Sequence, residues 1–410
     1  MIDTTDRHEM AAGAFLARFR RKIAVNAQSW LAFMQQHASD ANALDREMAN
    51  LRKAIQQALA EPTAWEPGLA LTSQAWRHVE TRGHWLAWQE LLEQAVEVSR
   101  QAGRHSDEAF LLDQMGELAR ILGDNRRAQD QFEAALAASR ALNDRAGIGR
   151  VLAHLSQIYL ASGDLAAAAA SCQEAAGIFA ALGDTANLAI ANNNWAIVLL
   201  EQGDEEGALA HARAATADFD AVGNRRGLAK AFGAQGEVLR RMARWDEAID
   251  CYRQAIAIDE EIGHEVHAAR MKMNIGIVRH EQGNDKEALA LHREVEPFFR
   301  RLGDRPQLAA VYNNLGIFLG NLGRFEESQA AFDQAAELYQ EMDDRVRATD
   351  ALTNCAEYLL DQGRTGEAAR YLQRSRALLG TLPSPPGYLL RDWTKQSLRL
   401  EQMLAGQPAR

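Results

Sequence analysis

The chain has 410 residues and a formal net charge of −11, which argues against a nucleic-acid backbone as its main partner because phosphate binding requires a basic surface. No run of 18 uninterrupted apolar residues occurs, so no membrane span is predicted. The first ten residues lack the pattern of a secretory signal, and three widely spaced cysteines fit a reducing compartment. We therefore expect a cytoplasmic protein.

Two amphipathic helices are predicted at the start of the chain, over residues 14–37 and 43–60. With the residues around them they form a predicted N-terminal helical cap over residues 1–65. Five of the eight tryptophans lie before residue 90. We expect these rings to thicken the core of this end rather than to form a stacking platform.

A 40-residue period dominates the chain from residue 66 to residue 382. One column of small residues recurs every 40 positions, and a second column follows twelve positions later. The first is Gly116, Ser156, Ala196, Gly236, Gly276, Gly316 and Ala356, and the second is Ala128, Ala168, Ala208, Ala248, Ala288, Ser328 and Ala368. A fixed period indicates an array of about eight units that bury their apolar faces by stacking on each other.

Each unit is predicted to contain two helices, as residues 106–145 illustrate. The first helix covers about residues 107–121 and the second about 125–141, with apolar residues at helical spacing. Gly123 supplies the left-handed residue that ends the first helix, and Asp124 can cap the second. The small columns should let the two helices approach closely, with a Gly or Ala of the first facing an Ala of the second.

Two positions interrupt the repeat pattern. Pro297 lies within a predicted second helix, where it removes a backbone hydrogen bond and should bend the helix. Met242, Ala243 and Arg244 replace the usual Gly-Asp turn, so we expect that loop to differ locally. Either irregularity could shape a binding surface or be tolerated variation.

A terminal helix is predicted over residues 383–410, after three prolines between residues 381 and 387 stop the array. Its apolar stripe should cover the open end of the stack, and docking of a partner is the alternative. The stripe consists of Leu389, Leu390, Trp393, Leu400 and Leu404.

Two further columns lie in the predicted second helices. One is Phe132, Cys172, Ala212, Tyr252, His292, Phe332 and Leu372, and the other is Ala135, Ala175, Ala215, Ala255 and Ala335. With the small pair twelve residues apart, these columns resemble the tetratricopeptide repeat (TPR) family. The resemblance implies an all-α, right-handed TPR superhelical solenoid of helix-turn-helix repeats with helical caps.

The 40-residue period, longer than the usual ~34 residues, is similar to the TPR arrays of kinesin light chains, peptide-sensing bacterial regulators and STAND signalling ATPases. Residues 44–60, followed by 80–96, resemble the junction that joins the ATPase modules of STAND proteins to their TPR arrays. This resemblance implies a sensor arm. No GxxxxGK[ST] phosphate-binding loop occurs in the sequence, so the ATPase module itself is not represented.

A column of polar residues two positions before the first small column is the candidate peptide- or protein-binding site. It contains Gln114, His154, Asn194, Asn274, Asn314 and Asn354, and Asn193 and Asn313 lie one position earlier. Helix propensity disfavours Asn, so the repeated occurrence of Asn in this column indicates a binding or structural role for the amides. In TPR proteins the matching column clamps a peptide backbone on the concave face, which implies that role here. The alternative is that these amides bond to neighbouring helices and hold the stack together.

Lys230 and Arg270 lie four residues before this column, on the same helical face. They belong to a short basic run that could attract an acidic segment. We include both among the candidate binding residues.

Neither catalysis nor a metal or other cofactor is predicted. His264 and His267 are one residue short of the HExxH spacing that binds zinc, and we expect them to be surface turn residues. No CxxC or GxSxG motif occurs in the sequence. An enzyme would also need a deep pocket, which repeat arrays seldom build.

The predicted function is a protein- or peptide-binding TPR scaffold, the sensor or interaction module of a signalling system, without direct contact to nucleic acid or membrane. A self-assembling structural module and a transcriptional or signalling regulator switched by a peptide are the alternatives. The residues leave the ligand and the oligomeric state open.

Overall fold

The computed structural model describes residues 4–37, 40–82, 85–382 and 385–406. Every regular element assigned within these residues is an α-helix. In chain order the helices are α1 (Thr4–Gln36), α2 (Ala41–Leu59), α3 (Trp65–Arg82), α4 (Trp85–Gln101), α5 (His105–Ile121), α6 (Asn125–Ala141), α7 (Arg145–Ser162), α8 (Leu165–Leu182), α9 (Thr185–Gln202), α10 (Glu205–Ala221), α11 (Arg225–Arg241), α12 (Trp245–Ile262), α13 (Glu265–Glu281), α14 (Asp285–Leu302), α15 (Arg305–Asn321), α16 (Phe325–Glu341), α17 (Arg345–Asp361), α18 (Thr365–Leu379) and α19 (Gly387–Leu404).

The chain divides into two compact units, Met1–Asp218 and Phe219–Arg410. In the first unit, α5 packs on α6 and α7 on α8, and the first helices α5, α7 and α9 contact each other in succession. In the second unit, α11 packs on α12, α13 on α14, α15 on α16 and α17 on α18, and the first helices again contact their successors. Both units are stacks of helix pairs, which confirms the predicted all-α fold class of helix-turn-helix repeats.

One turn geometry joins the two helices of the template repeat. Gly123 has φ 84°, a conformation that glycine adopts without steric cost. The Asp124 amide donates to the Ala119 carbonyl at 2.9 Å, and the Asp124 carboxylate accepts from the Arg127 amide at 3.0 Å. Both sequence-based predictions for this turn, the glycine that ends α5 and the aspartate that caps α6, are therefore confirmed.

The prediction of a different loop at Met242–Arg244 is wrong. Ala243 has φ 55°, and its amide donates to the Arg240 carbonyl at 2.9 Å. The Arg244 amide donates to the Leu239 carbonyl at 2.9 Å. The backbone therefore takes the common turn, with a β-carbon where other repeats have glycine. A left-handed conformation costs an L-residue roughly 1–2 kcal/mol.

Ala243→Gly is expected to raise the free energy of unfolding by about 0.5–1 kcal/mol, because relief of backbone strain exceeds the larger entropy of glycine in the unfolded chain. Urea unfolding followed by circular dichroism measures the change. Ala137→Gly is the matched control, since Ala137 is exposed within α6 and glycine in a helix interior costs about 1 kcal/mol. Equal destabilisation at both positions would contradict the strain at Ala243.

The first small column makes room for an aromatic ring of the second helix. A β-carbon added to Gly316 would lie 2.8 Å from the Phe332 ring, and one on Gly236 would lie 2.7 Å from Tyr252. The expected contact with the second small column is also present, since Ser328 Oγ donates to the Gly316 carbonyl at 2.6 Å. The ring of Phe332 therefore lies directly against the glycine of its own repeat.

Residue sizes at these two positions vary together along the chain. Where the first column has glycine, the residue sixteen positions later is an aromatic ring or histidine, and where it has serine or alanine, that residue is smaller or aliphatic. The pairs are Gly116–Phe132, Gly236–Tyr252, Gly276–His292 and Gly316–Phe332, against Ser156–Cys172, Ala196–Ala212 and Ala356–Leu372. Close packing explains this matching, because a protein interior tolerates little excess volume.

The N-terminal helices enclose the core that the tryptophans were expected to thicken. Trp88 is 1% exposed and Trp76 is 8% exposed, and Trp30, Trp65 and Trp85 pack against the same core while partly buried. This confirms the structural interpretation of the Trp-rich end.

Pro297 lies within α14, which continues without interruption from Asp285 to Leu302. The proline is exposed, and its neighbours Val295 and Phe299 are buried. The helix therefore tolerates the missing backbone donor on its solvent side.

Helix α19 covers the end of the stack by contacting α17 and α18. Leu389 is fully buried, and the Trp393 Nε1 donates to the Leu372 carbonyl at 3.1 Å. Leu390 and Leu404 are 43% and 67% exposed, so the predicted apolar stripe was too wide. Residues 383 and 384, at the start of the predicted C-terminal domain, lie outside the described residues.

Within the described residues, α8 is the one helix long and apolar enough by composition to cross a membrane. It packs against α7 and α9, and Cys172 and Phe179 on it are buried. One third of its residues are buried, and this buried face belongs to the core of the first unit, in the position of a second helix.

Candidate binding surface

The first helix of each repeat carries a narrow strip of side chains. On α9, Ile190 and Ile197 are 39% and 36% exposed, and Asn193 and Asn194 lie between them. Residues at i, i+3, i+4 and i+7 share one helical face. We call these four positions of every first helix the first-helix strip.

Asn194 and Asn314 use their amides to join helices. Asn194 is 7% exposed, and its Nδ2 donates to the Ala153 carbonyl of α7 at 2.9 Å. The Nδ2 of Asn314 lies 3.2 Å from Nε2 of His292 on α14. These contacts are those of the alternative proposed for the amide column, in which the amides hold the stack together.

The residues one position earlier differ from this arrangement. Within the described part of the chain, the buried Oδ1 atoms of Asn193 and Asn313 have no hydrogen-bond partner. The two residues occupy the same repeat position, one in each compact unit. An unsatisfied buried acceptor costs about 1–3 kcal/mol, so a bound donor would recover that free energy once the half-buried amide turns its oxygen toward the ligand.

Gln114 occupies the Asn194 position of the strip on α5, but it is buried, since the residue is 3% exposed. Its Nε2 and Oε1 atoms are both buried without a hydrogen-bond partner among the described residues. Asn274 on α13 and Asn354 on α17 are half-buried and occupy the strip of the second unit.

A buried carboxylate organises the strip where α5 meets α7. Asp113 is 3% exposed and accepts from Arg150 Nε and His154 Nδ1, each at 2.8 Å. Burial opposes charge on both partners, but their attraction prevails. The pKa of Asp113 is therefore held below its ordinary value by His154 and Arg150, and the pKa of His154 is held above its ordinary value by Asp113 and Glu117. His154 is thus committed to an internal ion pair.

An open cleft of about 420 Å³ adjoins this cluster. Arg150 lies 5.0 Å over the ring of Phe110, and Arg104 lies 5.9 Å over the ring of Trp65. Ser73, Gln74 and Ser106 add hydroxyl and amide groups to the lining. Aromatic rings with a few placed polar groups are typical of a recognition site.

Lys230 and Arg270 are both exposed on the strip of the second unit. Their charges act on His267, whose pKa is lowered first by burial and then by these two cations, although Asp259 opposes the shift. Both predicted basic residues, Lys230 and Arg270, therefore act electrostatically on the buried imidazole of His267.

The expectation that His264 and His267 are surface turn residues is wrong for His267, which is 9% exposed. Its Nδ1 lies 2.5 Å from Oδ2 of Asp259, and Nδ1 of His264 lies 3.2 Å from Oδ1. Burial is the main cause that lowers the pKa of both imidazoles. No sequence motif identified Asp259, although it is the one acidic residue in a column that is otherwise apolar or serine.

Models of the tetratricopeptide repeat match more than half of the chain. The matched residues are 114–184, 184–261, 227–301, 266–341 and 307–380. The chain belongs to the tetratricopeptide repeat family. A comparison of the sequence of this TPR protein with curated proteins returned no match.

Three solved structures are similar to this TPR array. A Rap protein complexed with Competence and Sporulation Factor has a TM-score of 0.60 at 15% identity, over 91% of this chain and 99% of that chain. Aspartyl phosphate phosphatase F from Bacillus subtilis has a TM-score of 0.56 at 15% identity, over 88% and 94%. A STAND protein with a tetratricopeptide repeat sensor from Pyrococcus horikoshii has 0.57 at 10%, over 80% and 52%.

The TPR chain spans about half the length of that STAND protein. At identities this low, the structural similarity shows a shared fold. That fold agrees with the TPR array that the sequence suggested.

Proposed function

We propose that this TPR protein is a scaffold that binds a protein or peptide segment along its first-helix strips. The observation that carries the proposal is the pair of unsatisfied buried acceptors at Asn193 and Asn313. Backbone N–H groups of a bound segment are donors that would satisfy them. The exposed Ile190 and Ile197 on either side of Asn193 supply apolar contact area for the same segment.

A sensor or regulatory role in a signalling system is the finer form of this proposal. It is supported by similarity to a Rap protein complexed with Competence and Sporulation Factor and to a STAND protein with a TPR sensor. We also propose a cytoplasmic location, which the three free, buried cysteines favour.

Binding rather than catalysis is the proposed activity. Asp113 and His154 resemble an acid–base pair by residue type, but they bond to each other and Asp113 also accepts from Arg150. One similar structure is a phosphatase, at an identity that carries only the fold.

Replacing Asn193 and Asn313 together by alanine should weaken partner binding about tenfold or more and leave the melting temperature unchanged or slightly raised. The expected loss corresponds to one or two hydrogen bonds with the ligand, whereas the free protein loses only unsatisfied acceptors. Wild type and the double variant are used as bait in native lysate, and captured proteins are identified by mass spectrometry. The affinity of the captured segment is then measured by calorimetry.

Asn194→Ala is the matched control for this experiment. It removes the bond to the Ala153 carbonyl, so it should destabilise the protein by about 1 kcal/mol and retain the partner. Identical capture by wild type and the double variant would place binding away from the strips. A fall in melting temperature at Asn193 and Asn313 equal to that of Asn194→Ala would favour a structural role instead.

A further inference from the structure

The junction between α12 and α13 departs from the repeat pattern at three positions that meet in space. Asp259 occupies a column that is otherwise apolar apart from two serines, and His264 occupies the N-cap column. The residues matching Asp259 are Ser99, Ser139, Phe179, Phe219, Phe299, Tyr339 and Leu379, and those matching His264 are Arg104, Asp144, Asp184, Asn224, Asp304 and Asp344. His267 is the only histidine in its own column, which otherwise holds Asp107, Gly147, Asn187, Gly227, Gln307 and Arg347.

Asp259 contacts both histidines at the start of α13, but the other repeats stack without any of these three polar residues. Asp259 is fully buried in the last turn of α12, where the helix dipole disfavours a negative charge. The residue also replaces a buried ring that would contribute apolar contacts. His264 makes no side-chain cap bond to α13, whereas Asp144, Asp184 and Asn224 cap α7, α9 and α11. A ligand for the cluster would account for all three exceptions.

The three side chains bring together a carboxylate and two imidazoles. One ligand atom from each lies within 4.8 Å of the others, and the His264 and His267 rings are nearly parallel, with centroids 5.4 Å apart. Zinc holds such ligands at about 2.0–2.2 Å, which separates neighbouring ligand atoms by about 3.4 Å. The His264 to Asp259 distance of 3.2 Å already fits this spacing, and the 2.5 Å contact of His267 must open by about 1 Å.

We propose that Asp259, His264 and His267 bind a divalent transition-metal ion of the zinc type. Each imidazole binds through Nδ1 and carries its single N–H on Nε2, so that binding needs a tautomer change and no net loss of protons. Nitrogen and carboxylate ligands are those that such ions take in proteins, and three protein ligands leave a coordination position open. The ion would join the second helix of one repeat to the first helix of the next.

The surroundings provide access and room for the ion. His264 lines an open cleft of about 330 Å³ together with Phe298 and Leu302. Three cations act electrostatically on the two imidazoles, namely Arg226, Lys230 and Arg270. They favour an anionic group in the open coordination position.

The test uses the full chain without an affinity tag, freed of metal by a chelator. Calorimetric titration with Zn²⁺ should give about one ion per chain, and Co²⁺ should produce the visible absorption of a site with nitrogen and oxygen ligands. His264→Ser removes one ligand and supplies a better N-cap. Its affinity for Zn²⁺ should fall at least about 100-fold, while its melting temperature without metal stays equal or rises.

Two further variants keep the proposal falsifiable if one substitution disturbs the fold. Asp259→Phe with His267→Asn copies the Phe179 and Asn187 pair of another repeat, so it should fold and lose the zinc-dependent rise in melting temperature. His280→Gln is the matched control, because His280 contacts Asp285 at 2.6 Å without a second histidine. It should retain full zinc affinity. Absence of stoichiometric zinc binding, or equal affinity in wild type and His264→Ser, would overturn the proposal.

Discussion

Phe332→Ala is expected to lower the free energy of unfolding of the second compact unit by about 3–5 kcal/mol. Phe332 is fully buried, and its ring lies against the α-carbon side of Gly316. Removal of the ring leaves a cavity that Gly316, which has no side chain, cannot fill. Urea unfolding followed by circular dichroism measures the loss, with the slope of the transition checked for unchanged cooperativity.

Because residue sizes at the positions of Gly316 and Phe332 vary together, we expect the stability effects of substitutions at these two positions to be coupled. Gly316→Ala alone should cost about 1–3 kcal/mol, because its β-carbon would lie 2.8 Å from the ring. Combined with Phe332→Leu, it recreates the Ala356 and Leu372 pair of the next repeat. The double variant should therefore be more stable than the sum of the single changes predicts, by about 1 kcal/mol.

Gly177→Ala is the control for the backbone effect of replacing glycine in a helix. No atom lies within 4 Å of a β-carbon added there, so this change should be neutral or stabilise by up to about 1 kcal/mol. Additive effects at Gly316 and Phe332 would refute the inference that the columns vary together because of packing.

The repeat made the helix pairs and their turns predictable. The predicted second helix at 125–141 matches the observed α6, Asn125–Ala141, because glycine, an N-cap and apolar spacing recur together in successive copies. Even at Ala243, where the glycine is missing, the common turn forms since the hydrogen bonds of the flanking helices outweigh the local strain. The alanine at that position was therefore a poor guide to the geometry of the loop.

The partners of individual polar side chains were less predictable. Asn193 and Asn194 are adjacent in sequence and were assigned to one surface, yet Asn194 bonds to α7 while the Oδ1 of Asn193 has no partner among the described residues. Neighbouring residues of a helix differ by about 100° in direction, so only one of the two amides reaches the preceding first helix α7. The position of a residue within the repeat identifies the helical face on which it lies. The contacts between repeats decide which amide finds a hydrogen-bond partner.

The buried acid–base clusters were hard to predict for the same reason, because they depend on contacts between repeats. Asp113 was not among the candidate residues, because a single carboxylate in an amphipathic helix is usually exposed. Its carboxylate is paired with Arg150 and His154, which follow about one full repeat later. Comparison of each repeat position with its equivalents along the chain would have marked Asp259, since the repeats serve as an internal alignment.

Asp113→Ala is expected to destabilise the first compact unit by about 2–3 kcal/mol near neutral pH. Loss of one member of a buried ion pair costs about 3–5 kcal/mol, and the partial exposure of Arg150 and His154, 33% and 24% of their side chains, reduces that figure through solvent screening. Thermal and urea unfolding of wild type and variant measure the difference.

The pH dependence of this difference separates an ion pair from simple packing. The pKa of His154 is raised above 6.5 by Asp113 against the effect of burial, so its contribution is full below pH 6.5 and is lost as the pH rises through the folded-state value. The pKa of Asp113 is lowered below 3.8, so its contribution is present above pH 3.8 and is lost as the pH falls through the folded-state value. The pair therefore stabilises most between these limits.

His154→Gln tests the upper limit directly. Glutamine keeps a neutral donor but cannot be charged, so the variant should be less stable than wild type at about pH 6 and should approach it at about pH 9. Asp250→Ala is the control, since Asp250 and Arg253 form an exposed pair at 3.5 Å that contributes little. A difference for His154→Gln that stays constant between these two pH values would show that the imidazole acts through its shape, and that Asp113 is held by Arg150 alone.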